Sequence, residues 1–299
     1  MVFDSKKTIC LNMIVKNESH VIEETLKNIC QYVPLDYWVI SDTGSSDNTK
    51  EIIENFFKMK NIPGELIENK WKDFAYNRTK ALECAFNKTD YLFIFDADDR
   101  IHGNFIIKKL DYDMYNIQFG NVTRYMRPIL ITNRKRWKYV GVLHEFITAI
   151  DKIDSIENVN GDYFIESGKT GSRSMNPNKY KDDAELLRNA YYEATDGLND
   201  RYAFYCGQSY FDCGNLDESI FWYKKVVFEL NSWSQEKYIA CLKIGNMYNL
   251  KGNNYEAINF WKKGLSFDLE RKECVCQLIE HYYNKQDHAS VNKIYKETY

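Results

Sequence analysis

The sequence predicts an α/β domain, residues 1–180, followed by an all-α domain, residues 181–299. Three observations carry this. Apolar runs of strand length alternate with helix-period segments from Thr8 to Asp99. Several of those runs end in polar or acidic clusters, and beyond residue 180 every segment has helical spacing, one of them repeated in register.

The elements follow in order. Thr8–Val15 contains ICLNMIV, a buried-strand pattern. KNESHVIEETLKNICQYV then changes period and places Val21, Leu26, Ile29 and Val33 on one helical face. YWVISD reads as a second strand, and SSDNTKEIIENFFKM as a helix capped by Ser or Asp. ELIEN, DFAYNRTKALECAFN and YLFIFDADD continue as strand, helix and strand, the last ending in acids. Such alternation implies right-handed βαβ units, a mostly parallel sheet, and ligands at the carboxyl ends of the strands. Between Asp111 and Ile165, YNIQF, VTRYM, PILIT, WKYVGV, EFITAI and DYFIES read as short mixed strands that close the active side of the sheet.

The Gly, Ser and Asn-rich SGKTGSRSMNPNKY sets a boundary near residue 180. Beyond it, GQSYFDCGNLDESIFWYKK from Gly207 recurs as GNMYNLKGNNYEAINFWKK from Gly245, with a weaker third copy in HYYNKQDHASVNKIYK. The fixed offset of 38 residues between the first two lies close to the 34-residue period of tetratricopeptide repeats, which this region resembles. Repeats stack to bury their faces whether they bind a partner or only cap a neighbouring domain.

Composition narrows the partners. With 40 basic and 43 acidic residues the chain carries a net charge of −3, so no summed positive field draws it to nucleic acid or to anionic lipid. The eight cysteines form no CxxC pair and fall mostly inside apolar-periodic segments, as in a reducing compartment. No membrane-length apolar run and no leader pattern is visible at MVFDSKKTICLNMIV. Sequons begin at Asn17, Asn77, Asn87 and Asn121, the first two in segments expected to face a ligand, where a glycan would be intolerable. A cytoplasmic location is the expectation.

Two clusters carry the chemistry. SDTGSSDNT places Asp42 at the tip of the second strand, ahead of a Gly turn and a helix start, so that a carboxylate and backbone N–H groups enter the crevice; ordinary turn chemistry is the alternative. FIFDADD packs Asp96, Asp98 and Asp99 at a strand end, where like charges repel unless a cation or water screens them. Mn2+ or Mg2+, held by one or two carboxylates plus substrate phosphates, is the natural counter-ion. Lys169 and Arg173, on the Gly/Ser-rich segment, suit either a lid that closes on a diphosphate or a solvated linker. His144 and Glu145 sit together in YVGVLHEFI, expected as a strand that would point them to opposite sides.

In this order, LNMIVKNESHVIEETLKNI, SDTGSSDNT, WKDFAYNRTKAL and FIFDADD resemble the family 2 glycosyltransferases with the GT-A fold, a Rossmann-like nucleotide-sugar-binding domain. The resemblance runs through roughly the first half of the chain. It implies that Asp42 contacts the uridine of a UDP-sugar, with Asn17 and Glu18 beside it and Arg78 helping to hold the nucleotide. Asp96 and Asp98 would form the DxD pair on the metal, Asp96 also lying against the donor. Where the family commonly has a double Asp, this chain reads Asp42-Thr43, so the nucleoside contact rests on Asp42 alone. In relatives with tetratricopeptide repeats a His-Glu pair recurs here, which suggests Glu145 as catalytic base and His144 as a metal or phosphate ligand. The implied activity is inverting, metal-dependent transfer of a hexose to an acceptor hydroxyl on a protein, peptide or glycan. A sugar nucleotidyltransferase and a catalytically silent repeat scaffold are the rival readings.

Overall fold

The computed structural model describes residues 7–107, 109–193, 195–229 and 231–298. Residues 1–6, part of the stretch searched above for a leader, lie outside the described residues. The chain divides into two compact units, Met1–Pro177 and Asn178–Tyr299.

The first unit is built on a nine-stranded mixed sheet. Its centre is β1 (Ile9–Val15), parallel to β2 (Tyr37–Asp42) on one side and to β4 (Tyr91–Ile94) on the other, with β3 (Gly64–Glu68) parallel to β2 at the edge. Helices α1 (Ile22–Tyr32), α2 (Thr49–Lys60) and α3 (Phe74–Ala85) make the crossovers. Alternation along β1 explains why every residue but Asn12 is apolar, and Asn12 Nδ2 donates to the Ala81 carbonyl (2.9 Å). Ile9, Leu11, Met13 and Val15 join one core with Leu26, Ile53 and Phe57, whereas Cys10 joins a second core with Leu82 and Ala85 of α3. Both faces are covered, so both parities must be apolar.

Beyond β4 the sheet continues through β7 (Tyr125–Thr132), β6 (Met114–Phe119), β11 (Tyr163–Glu166) and β5 (Arg100–Gly103), and β10 (Ile156–Val159) pairs with β6. A separate hairpin joins β8 (Trp137–Val140) to β9 (Phe146–Ala149). Three expectations need correction. VTRYM and PILIT are one strand, β7, because Pro128 sits at a register shift against Tyr115 and Asn116, where a missing N–H is tolerated. Strands β5 and β10, of four residues each, were too short and polar to show a period. Helix α2 has Asn48 at its N-cap with no side-chain cap. Asp47 instead accepts hydrogen bonds from the Thr49 amide and hydroxyl and from the Ser19 amide.

The second unit consists, among the described residues, of α4 (Lys179–Glu193), α5 (Asn199–Asp212), α6 (Leu216–Phe228), α7 (Ser234–Leu250), α8 (Asn254–Leu265), α9 (Glu273–Asn284) and α10 (His288–Thr298). Each helix packs on the next in sequence. The repeated residues make one recurrent turn. Gly214 and Gly252 adopt positive φ, Asn215 and Asn253 cap the following helices through the amides of Glu218 and Glu256, and both Asn amides donate to the carbonyl of a Tyr, Tyr210 or Tyr248. A third copy of this turn stands 34 residues after the second: Gln286 takes the positive φ, and the Asp287 amide donates to the Tyr282 carbonyl while its carboxylate accepts from Ser290. Gly207 and Gly245 are glycine because Tyr223 and Trp261 of the next helix lie against them; a Cβ at Gly207 would stand 3.0 Å from the Tyr223 ring, and one at Gly245 would overlap Trp261. Among the described residues no helix is long and apolar enough to cross a membrane.

Candidate active site

Three parallel neighbours, β1, β2 and β4, end on the same edge of the sheet, and the residues that follow them face one crevice. After β1 the chain turns at Asn17, whose φ of 56° is the left-handed region that Asn tolerates better than most side chains. Its amide donates to Ser45 Oγ (2.9 Å), and its Oδ1 accepts from the Ser46 amide (2.7 Å). The β1 and β2 loops are thereby tied together. Asp42, 1% exposed, ends β2 and spends Oδ1 on its own turn, accepting from the amides of Gly44 (2.9 Å) and Ser45 (2.8 Å). Its Oδ2 is buried with no hydrogen-bond partner among the described residues. Such an orphan costs about 1–3 kcal/mol unless a ligand supplies a donor.

Asp96, Asp98 and Asp99 lie in the turn after β4, not within the strand as YLFIFDADD suggested. Arg78, from α3, bridges two acids far apart in sequence: Nη2 donates to Asp96 Oδ1 (2.6 Å) and Nε to Glu145 Oε1 (2.8 Å). Its guanidinium also lies 5.5 Å from the centre of the Tyr139 ring. Burial works against the charge on Asp96, but Arg78, with Arg127 beyond it, outweighs burial and holds that carboxyl below the usual range. Asp99 lacks the Arg78 contact, and Arg127 offsets its charge only in part. Burial first, and Asp96 and Asp98 next to it, push Asp99 up to about 7. Glu18 is also pushed up to about 7, mainly by burial, with Asp98 and Asp47 adding. The crevice therefore holds more negative charge than its own side chains offset.

A strap from Gly168 to Ser172 covers these acids. The Gly168 amide donates to Asp99 Oδ1 (2.9 Å), the Gly171 amide to Asp98 Oδ2 (2.7 Å), and the Ser172 amide to both oxygens of Glu18 (3.2 and 3.3 Å). His20 Nε2 donates to the Thr170 carbonyl (2.6 Å). Close approach demands glycine here. A Cβ on Gly168 would overlap the Asp98 carboxylate and carbonyl, and one on Gly171 would lie 2.9 Å from Asp98 Oδ2.

The structure thus brings together Glu18, Asp98, Asp99 and the strap, and separately Asp96, Arg78 and Glu145. Arg78 is an acid-pairing group here, where the resemblance made it a nucleotide contact. Lys169 is exposed on the strap, and Arg173, also exposed, lies over the Phe74 ring at 4.6 Å. His144 and Glu145 belong to the turn of the β8–β9 hairpin, His144 at φ 53°, so the expectation of a regular strand fails. Among the described residues no group of three His, Cys, Asp or Glu side chains is placed to hold a metal, so His144 does not complete a site with Asp96 and Asp98. The two carboxylates still fit a divalent ion of the Mn2+ or Mg2+ type. Their oxygens are hard donors, their mutual charge raises Asp99, and such ions take their remaining ligands from phosphate and water. Sequence reasoning missed the strap amides; the paired glycines of SGKTG were the available signal.

Residues 10–152 match the family model described as glycosyl transferase family 2, in line with the resemblance of the motifs. No curated protein matches the chain. Among solved structures, S. aureus TarS 1-349 in complex with UDP-GlcNAc is similar at 12% identity and TM-score 0.42, over 96% of this chain and 90% of that one. The mannosyltransferase PcManGT from Pyrobaculum calidifontis, in complex with GDP-Man and Mn2+, is similar at 12% identity and TM-score 0.41, over 87% of each chain. Glucosyl-3-phosphoglycerate synthase from Mycobacterium tuberculosis, with Mn2+, UDP and glucosyl-3-phosphoglycerate, is similar at 17% identity and TM-score 0.26. There the likeness covers 31% of this chain and spans only 34% of the other.

Proposed function

We propose that this glycosyltransferase moves a hexose from a UDP-sugar to an acceptor hydroxyl with inversion, using Mn2+ or Mg2+. One observation carries the reading: inside the matched segment, the ends of β1, β2 and β4 set a buried carboxylate oxygen without a donor beside acids whose charge is only partly offset. Asp42 Oδ2 accepts an N–H or O–H from the nucleoside, and Asn17 and Glu18 line the same side. Asp96 and Asp98 hold the cation, without His144. A bound divalent ion supplies charge neutralisation for the leaving diphosphate. Lys169 and Arg173 add positive charge from the strap.

Glu145 takes the proton of the acceptor hydroxyl, whose oxygen attacks the anomeric carbon from the face opposite the diphosphate. A single displacement inverts the configuration. Arg78 fixes Glu145 relative to Asp96, so the base and the donor side are set by one guanidinium. Residues 1–180 form the catalytic domain in this reading. Residues 181–299 form a tetratricopeptide-like stack, supported by the thrice-used turn, that presents a protein, peptide or glycan acceptor. The eight free cysteines support a cytoplasmic enzyme.

Release of UDP from a panel of UDP-sugars with Mn2+ tests the activity, because slow hydrolysis by water reveals the donor without an acceptor. Formation of a UDP-sugar from UTP and a sugar phosphate would instead mark a nucleotidyltransferase. Calorimetry on Asp98→Ala tests the metal assignment: Mn2+-dependent UDP binding should vanish, and unchanged affinity and metal dependence would rule it out.

A further inference from the structure

The second unit contains a pocket of about 260 Å3 between α7, α8 and α9. Its polar lining comes chiefly from one face of α9, where Gln277, Glu280, His281 and Asn284 recur at helical spacing, met by Asn249 of α7, Asn254 of α8 and Lys285. The core side of α9 is carried by Cys274, Val275 and Leu278; of the polar stripe His281 alone is buried, Gln277 is half-buried, and Glu280 and Asn284 are exposed at the pocket's rim. None of these seven polar side chains makes a hydrogen bond or ion pair with another protein group among the described residues. Neighbouring Asn246, in contrast, is consumed by the Trp261 indole (2.9 Å). His281 is the most telling. It is 9% exposed, its Nε2 is buried with no partner, and its ring meets the edge of Trp261 at 5.9 Å.

We propose that this pocket binds a single neutral sugar ring or a comparable polyol. The chemistry selects that class. Four carboxamides each offer a donor and an acceptor, the pairing that vicinal hydroxyls also present. Lys285 and Glu280 offset one another, so no net charge favours a phosphate or a cation. Burial, with Lys285 nearby, pushes His281 below its ordinary range, which leaves a neutral imidazole at neutral pH. At ~30 Å3 per water the pocket holds roughly nine waters, a volume suited to one ring and not to a nucleotide. Every lining residue belongs to the second unit, so the assignment stands independently of the transfer reaction.

Saturation-transfer NMR on the full chain tests it, with methyl glucoside, methyl mannoside, methyl N-acetylglucosaminide, inositol and glycerol as probes and with UDP and Mn2+ present to occupy the first unit. Transfer to at least one ring probe is expected to persist under UDP and to weaken about tenfold in apparent affinity in Gln277→Leu and in Asn284→Leu. Asn284 is exposed, so its variant should fold, and unchanged circular dichroism confirms that. Absence of transfer to all ring probes and inositol, transfer unaffected by both variants, or displacement by inorganic phosphate would each overturn the proposal.

Discussion

Replacing Gly168 by Ala should unlatch the strap over the acidic crevice. A Cβ at this position has nowhere to go: it meets the carboxylate of Asp98 and also its backbone carbonyl, so a side-chain rotation alone does not relieve the overlap. Two amide-to-carboxylate bonds depend on the present path, Gly168 to Asp99 and Gly171 to Asp98. Bonds to charged groups are each worth ~1.5–3 kcal/mol, and Asp98 is partly exposed, so the low end applies and their joint loss is about 3 kcal/mol. That raises the open fraction of the strap roughly 100-fold. Lys169 and Arg173 are exposed on the strap and make trypsin the natural probe. When reclosing outpaces cleavage, the rate follows the open population. Cleavage after Lys169 and Arg173 in Gly168→Ala should therefore accelerate by about two orders of magnitude, read by mass spectrometry, and the same loss should lower the thermal midpoint of the first unit by about 6–12 °C. Equal cleavage rates in variant and wild type would refute the latch.

Three further outcomes follow from named contacts. Glu145→Gln keeps shape but removes basicity, so turnover should fall by about 10² or more with UDP-sugar affinity nearly intact; a full-rate enzyme moves the role to Asp99. Arg78→Met strands Asp96 and Glu145 without their shared counter-charge and should cost about 3–5 kcal/mol in urea unfolding, whereas a cost under about 1 kcal/mol would show that the bridge is not structural. Arg78→Lys should not restore it, since one ammonium lacks the fork that reaches both acids. Asp47 is held down to about 2, because hydrogen bonds from Thr49 and Ser19 outweigh its burial. A depressed carboxyl contributes stability above its unfolded value near 4 and loses it as the pH falls toward 2. The melting-temperature gap between wild type and Asp47→Asn should then be full at pH 6 and close by pH 2; a gap independent of pH contradicts the charged hydrogen bonds.

Much of the fold was legible because its signals are local. The apolar run of β1, the change of period into α1, the acids beyond β4 and the repeated Gly-Asn turn each depend on residues within a few positions of one another. The carboxyl-end crevice with Asn17, Asp42 and Asp98 was legible for the same reason, since parallel βαβ units bring strand ends to one edge. Only the tertiary structure decided what those groups touch. Arg78 and Glu145 are 67 residues apart, and Ser172 reaches Glu18 across 154, contacts that no periodicity encodes. The place of Pro128 inside β7 is likewise set by its pairing with β6, and the turn at His144 and Glu145 by the pairing of β8 with β9. Side-chain identity by itself fixes the charge and hydrogen-bonding capacity brought to the crevice. Whether Asp98 meets an amide or an ion, and whether His281 is left without a partner, is settled by chain closure.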